Sequence, residues 1–189
     1  SFMLDGLAEV ARELASLGIA FVVREGPPDV VCLELAHRAA LVVCDRGYLR
    51  PHLTWRKRVA RNAQKLVLEV ESDVVVPVEQ ASDKREFSAR TIRGKLQRAI
   101  DDWLEPPVPT RPRVAMEHLP LEGLVTVNAA LPDDLRLDRS VGASHRFRGG
   151  SSEATRRLVD FLGGGLAGYA GRRNDPAAPQ CSNLSPYLH

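Results

Sequence analysis

Long apolar runs are missing from this chain. No stretch approaches the roughly 18 residues that cross a bilayer, and no basic-then-apolar leader stands at its start. The expectation is a cytoplasmic protein with no membrane partner, nucleoid-associated if bacterial. Cysteine is scarce as well. Cys32, Cys44 and Cys181 are odd in number and lack C-x-x-C spacing, which argues against a disulfide framework and suits reduced thiols lining a core or pocket. His37, His52, His118, His145 and His189 are scattered without ligand spacing, so no metal site is expected. No internal repeat is visible, and net charge is only +2.

What is there reads as a soluble globular protein. Hydrophobic residues are 44% and charged residues 26% of 189, enough for one domain, or one domain and part of another. Charge is unevenly placed. Residues 46–61 hold six Lys/Arg and no acid, and residues 83–98 hold six against two acids. Such patches either attract polyanions or are solvated helix faces, and charge alone favours the second.

Residues 2–17 place Phe2, Leu4, Leu7, Val10, Leu14 and Leu17 at helical spacing, with Gly18 as the stop. "IAFVV" (19–23), "ALVVCD" (40–45) and "KLVLEVE" (65–71) read as buried strands. Helices are expected over 29–37, 53–62 and 83–104. Alternating helices and strands with short connections predict an α/β domain with a Rossmann-like parallel sheet. Ligands of such sheets sit at the carboxyl ends of strands, here Glu25-Gly26, Asp45-Arg46 and the loop after Glu71.

Composition then shifts. "EPPVPTRPRVAMEHLP" (105–120) has five prolines in sixteen residues, an extended linker. The expected division is an α/β domain over 1–104, a linker over 105–150, and the start of an all-α domain over 151–189. A new amphipathic helix begins at Ser151 or Ser152, with Glu153 in its first turn. "LGGGLAG" (162–168) lacks phosphate-loop spacing and follows no strand, so it is a weak nucleotide signal. "ARTIRGKLQRAI" (89–100) has no clear helix-turn-helix partner. Ser185-Pro186 reads as N-cap and first helical position, yet only three residues follow, and the chain opens on a helix without a start methionine. The expectation is a piece of something longer. By itself "CSNLSPY" (181–187) is either a phosphate site at a helix start or an N-cap box and nothing more.

The order "HRFRGGSSEATRRLVDFL", "GYAGRRNDP", "CSNLSPYLH" resembles class II cyclobutane-pyrimidine-dimer DNA photolyases, of the photolyase/cryptochrome superfamily, where their flavin-binding helical domain begins. "QASDKREFSARTIRGKL" and "SFMLDGLAEV" are similar to the family's upstream segments. In "CDRGYLRPHLTW" the Asp, Leu-Arg and Trp are kept, but Arg46-Gly47-Tyr48 stand where the family has Phe-Ser-Pro. "EVESDVVVP" (69–77) departs from the family's Val-Asp-Ala-His-Asn segment.

The resemblance implies an antenna-type α/β domain, incomplete at its start, followed by the truncated beginning of an FAD domain. It implies a deoxyribodipyrimidine photo-lyase, a carbon-carbon lyase in which photoexcited reduced FAD donates an electron that splits the dimer. The protein then supplies binding and orientation, no catalytic residue is assigned, and the chain alone is expected to be inactive. The implied FAD contacts are Tyr169, Cys181, Ser182, Asn183, Leu184 and Ser185, with Arg173 and Asn174 facing DNA. An antenna chromophore of deazaflavin or folate type would sit at the strand ends. The implied partner is DNA containing pyrimidine dimers, bound by a monomer. The alternatives are a cryptochrome-like blue-light photoreceptor and a free-standing α/β nucleotide-binding module.

Overall fold

A computed structural model of the chain describes residues 2–108, 110–115, 138, 140, 142–177 and 180–188. Much of the linker expected over 105–150, with His118, lies outside these residues, as does His189. The chain forms two compact units, one built from 24–110 and one from 1–23 with 111–189.

In the chain-order labels used here, α1 is Phe2–Ser16, α2 Pro28–Ala36, β1 Leu41–Asp45, α3 Arg50–Asn62, β2 Leu66–Val70, α4 Val78–Ala81, α5 Ala89–Trp103, α6 Ser151–Asp160 and α7 Tyr169–Arg172. In the 24–110 unit β1 and β2 pair in parallel, with Leu41 opposite Leu66 and Asp45 opposite Val70. The α3 crossover makes this pairing possible, because parallel neighbours cannot be joined by a tight turn. Period-two alternation sends Val42 and Val67 to one face, where they pack with Cys32 and Leu33 against buried Ala36, Val59 and Ala63. The core therefore lies between this sheet face and helices α2 and α3. Asp29, 4% exposed, accepts the Val30 N–H and pairs with Arg58 at 2.9 Å, joining the start of α2 to α3.

Two expectations in the α/β reading need correction. The run 19–23 makes only an isolated bridge at Ile19 and no ladder, so the sheet among the described residues has two strands. An apolar run can read as a buried strand without specifying a pairing partner. The helix expected from Asp83 begins at Ala89. Glu86 there accepts the Ser82 hydroxyl and pairs with Lys95 at 2.8 Å, pinning 82–88 as a loop.

In the other unit α1 ends in a Schellman motif. Gly18, at φ +70°, donates to Ala15, and Ile19 donates to Leu14. The start of α6 has no cap of its own, since its N-cap is Gly150. Glu9 of α1 supplies one. Its carboxylate accepts the Ser152 N–H at 3.0 Å and the Ser152 hydroxyl, which holds the Glu9 carboxyl below its ordinary range. Gly149-Gly150 permit this approach. A Cβ on Gly149 would fall 1.7 Å from the Phe2 carbonyl oxygen, and Gly150 has φ +111°.

Beyond α6 the helical path changes gauge. Residues 161–165 form a π turn, 166–168 a 3₁₀ turn, and α7 follows. Glycines 163, 164, 165 and 168 occupy this stretch. They contribute no side-chain packing and weaken regular α-helix.

Candidate functional site

The tail of the chain folds back on α6 through one arginine. Arg157, its side chain 15% exposed, lies with its guanidinium carbon 4.6 Å from the centre of the Phe147 ring and 5.9 Å from that of Tyr187. It bonds Glu153 at 2.9 Å and the Arg146 carbonyl at 2.6 Å. Tyr187 in turn donates its hydroxyl to the Arg148 carbonyl at 2.8 Å and packs against Phe2, ring centres 5.2 Å apart. Planarity lets one guanidinium stack and donate in several directions at once. The result ties together 146–148, α6 and the turn at 185–187.

This arrangement leaves a concavity of about 360 Å³ between α6 with its π turn and the segment 180–183. Cys181, Ser182 and Asn183 line one wall, and Arg156, Arg157 and Asp160 line the other. Arg156 is clamped by Glu153, at 2.8 and 2.9 Å, and by Asp160 at 2.7 Å. That clamp draws the Glu153 carboxyl down to about 2 and raises the Arg156 guanidinium. Asn183 takes a left-handed φ of +54°, and its side-chain amide donates to the Cys181 carbonyl at 3.1 Å. Asn is one of the few residues suited to that conformation. The Cys181 thiol contacts the Arg173 carbonyl at 3.6 Å, linking the loop to the end of α7.

The other residues implied to bind cofactor lie outside this lining. Tyr169 opens α7, meets Phe161 edge-on with ring centres 5.8 Å apart, and has the Arg173 guanidinium 5.8 Å from its ring. Leu184 precedes a 3₁₀ turn at Ser185–Tyr187 and accepts the Tyr187 N–H at 2.9 Å. Ser185 is exposed and is the first residue of that turn, not its N-cap as the sequence suggested. Pro186 still fits, since its missing N–H falls where a helix start leaves donors unpaired. Arg173 and Asn174 are exposed in the turn after α7.

In the 24–110 unit a second concavity, about 320 Å³, opens at the carboxyl ends of β1 and β2, where α/β ligands are expected. Asp45, Gly47, His52, Trp55, Arg56 and Asp73 line it. The basic run 46–61 is partly neutralised here: Arg46 meets Glu69, Glu71 and Glu79, Arg56 meets Glu69, and Arg58 meets Asp29. Among the described residues no group of His, Cys, Asp and Glu could hold a metal ion, and no helix is long and apolar enough to cross a membrane.

Residues 1–113 match the family model described as DNA photolyase. The chain belongs to the DNA photolyase family. Over its whole length it is 39% identical to a deoxyribodipyrimidine photo-lyase of Methanothermobacter thermautotrophicus, covering 41% of that protein. It is 34% identical to one of Potorous tridactylus, covering 36%. This photolyase-family chain thus spans about two fifths of the length of the relatives it matches. Its fold superposes on a Synechocystis cryptochrome with a TM-score of 0.69 over 99% of this chain and 40% of that one, at 19% identity.

Arg156 and Arg157 were not among the sequence candidates. The signal for them was local: Glu153 stands three and four residues before two arginines, a spacing that brings charges together on a helix.

Proposed function

We propose that the protein acts in light-dependent DNA repair as a class II photolyase, splitting cyclobutane pyrimidine dimers. The observation that carries this reading is the alignment of deoxyribodipyrimidine photo-lyases along the entire chain, through the segment 180–188 that folds onto α6. FAD, when bound, supplies the light-driven electron that opens the dimer.

The donor set of the 360 Å³ concavity fits the polar end of such a cofactor. The Ser182 hydroxyl can donate to a phosphate oxygen, and Asn183 and Cys181 fix the loop that presents it. Arg156 and Arg157 stand on the opposite wall, their charge balanced by Glu153 and Asp160, so the polar donors of the 181–183 loop carry the fit. Its size is near the lower end of the roughly 300–1,000 Å³ of ligand pockets, so it suits one portion of a dinucleotide. Tyr169, Leu184 and Ser185 complete the proposed cofactor contacts. Arg173 and Asn174, exposed beside this loop, are assigned to DNA.

The test uses the full-length protein. It should retain FAD through purification and bind a dimer-containing duplex more tightly than an undamaged one. Arg173→Ala should weaken that binding, leave flavin content unchanged, and reduce the salt slope by about 1, as loss of one phosphate contact does. A protein that holds no flavin, or binds both duplexes equally, contradicts the reading. Joint loss of flavin and solubility in Arg173→Ala contradicts the DNA-facing role.

A further inference from the structure

Segments 46–48 and 69–77, at the ends of β1 and β2, are bonded to one another. Arg46 pairs through Nε with Glu69 at 3.0 Å and through Nη1 with Glu71 at 3.7 Å, and its third nitrogen binds Glu79. Tyr48 donates its hydroxyl to Glu71, which also accepts the Val78 N–H at 2.9 Å. Ser72 donates to Asp45 at 2.6 Å, and the Arg46 N–H donates to the Val70 carbonyl at 2.8 Å. The ends of β1 and β2 and the start of α4 are thereby joined by the chain's own side chains.

The cleft that remains is poor for an anion. Asp45 and Asp73 face it, and Arg56, the one arginine among its described lining residues, is already held by Glu69 at 2.7 Å and by the Gly47 carbonyl. Gly47 belongs to the same device. A Cβ there would lie 2.1 Å from Nδ1 of His52, so only glycine lets the His52 ring take its place beside Trp55, ring centres 5.6 Å apart. Both antenna types implied for the family are anionic near neutral pH, a hydroxylated deazaflavin through its ring oxygen and a folate through its carboxylates. Each would set like charge against Asp45 and Asp73, with no unpaired Lys or Arg among the described lining residues to offset it.

We infer that the strand-end cleft of this protein excludes a deazaflavin or folate antenna, because Asp45 and Asp73 line it while Arg56 is committed to Glu69 and the Gly47 carbonyl. The inference rests on membership of the family and not on the repair chemistry. If the full-length protein retains no FAD, the functional reading fails while the cleft can still be titrated.

The experiment titrates full-length holoprotein separately with a hydroxylated deazaflavin and with methenyltetrahydrofolate. Binding is followed by probe fluorescence, and energy transfer to FAD by the excitation spectrum. The expected result is no saturable binding up to tens of micromolar, and an excitation spectrum of flavin alone. In an Asp45→Asn/Asp73→Asn variant, affinity for at least one probe should rise tenfold or more. No binding in either protein also supports exclusion and assigns it to space, not charge. Stoichiometric micromolar binding of either probe by the unaltered protein, with energy transfer to FAD, overturns the inference.

Discussion

Arg157→Lys in the full-length protein should loosen the segment 180–188 and weaken flavin binding about tenfold or more, although charge is conserved. A lysine keeps the attraction to Glu153 but cannot lie over the Phe147 ring, with Tyr187 nearby, while donating to the Arg146 carbonyl. A stacked, largely shielded arginine contributes about 1–2 kcal/mol through its aromatic faces, and a charge-assisted hydrogen bond to a carbonyl adds roughly 1.5–3 kcal/mol. Losing even part of this reaches the roughly 1.4 kcal/mol that corresponds to a tenfold change in affinity. The readout that separates positioning from general damage is a rise in flavin Kd with unchanged far-UV circular dichroism. Wild-type affinity in Arg157→Lys would mean that Arg157 does not position the loop.

The second large effect lies at the junction of α1 with α6. Gly150→Ala should destabilise this unit by about 2–4 kcal/mol, combining a strained backbone with a lost helix cap. The strain follows from φ +111°, and the cap is lost because the new Cβ would fall 2.4 Å from the Glu9 carboxyl group. Glu9→Gln should cost less, since an amide oxygen can still accept from Ser152. The Glu9 cap also sets a pH dependence. Its carboxyl is held below the ordinary 4.5 in the folded state, so its contribution is fully present above that value and fades as pH falls through the lowered folded-state value. Hydrogen exchange of amides 152–160 measures both effects. Protection in Gly150→Ala equal to that of the unaltered protein would refute the remote cap.

Much of the α/β pattern was legible because it is local. Strands β1 and β2 and helices α2 and α3 follow from apolar runs and turn residues, and the structure shifts their ends by only a few positions. The run 19–23 was not legible, since its apolar residues say nothing about which strand would pair with them. The charge patch at 46–61 was only partly legible. Composition favoured a solvated helix face over a polyanion surface, but its partners Asp29, Glu69, Glu71 and Glu79 lie outside the window and draw part of it into ion pairs. Cys181, Ser182 and Asn183, which the tail motif singles out as proposed contacts, line the concavity beside α6. Arg157 was legible only as a helical partner of Glu153, because its contacts with Phe147 and Tyr187 depend on tertiary folding. Glu9 was hidden for the same reason: a cap donated from another helix leaves no capping box in the sequence.

Light-dependent repair is tested most directly by illuminating the full-length protein, loaded with reduced FAD, on an oligonucleotide carrying a single thymine dimer. Intact thymines are then counted against a dark control. The account predicts restoration of thymines under blue light and none in the dark. Dimers that survive illumination in a flavin-loaded, reduced preparation that binds the oligonucleotide would contradict it and favour a photoreceptor of the same superfamily.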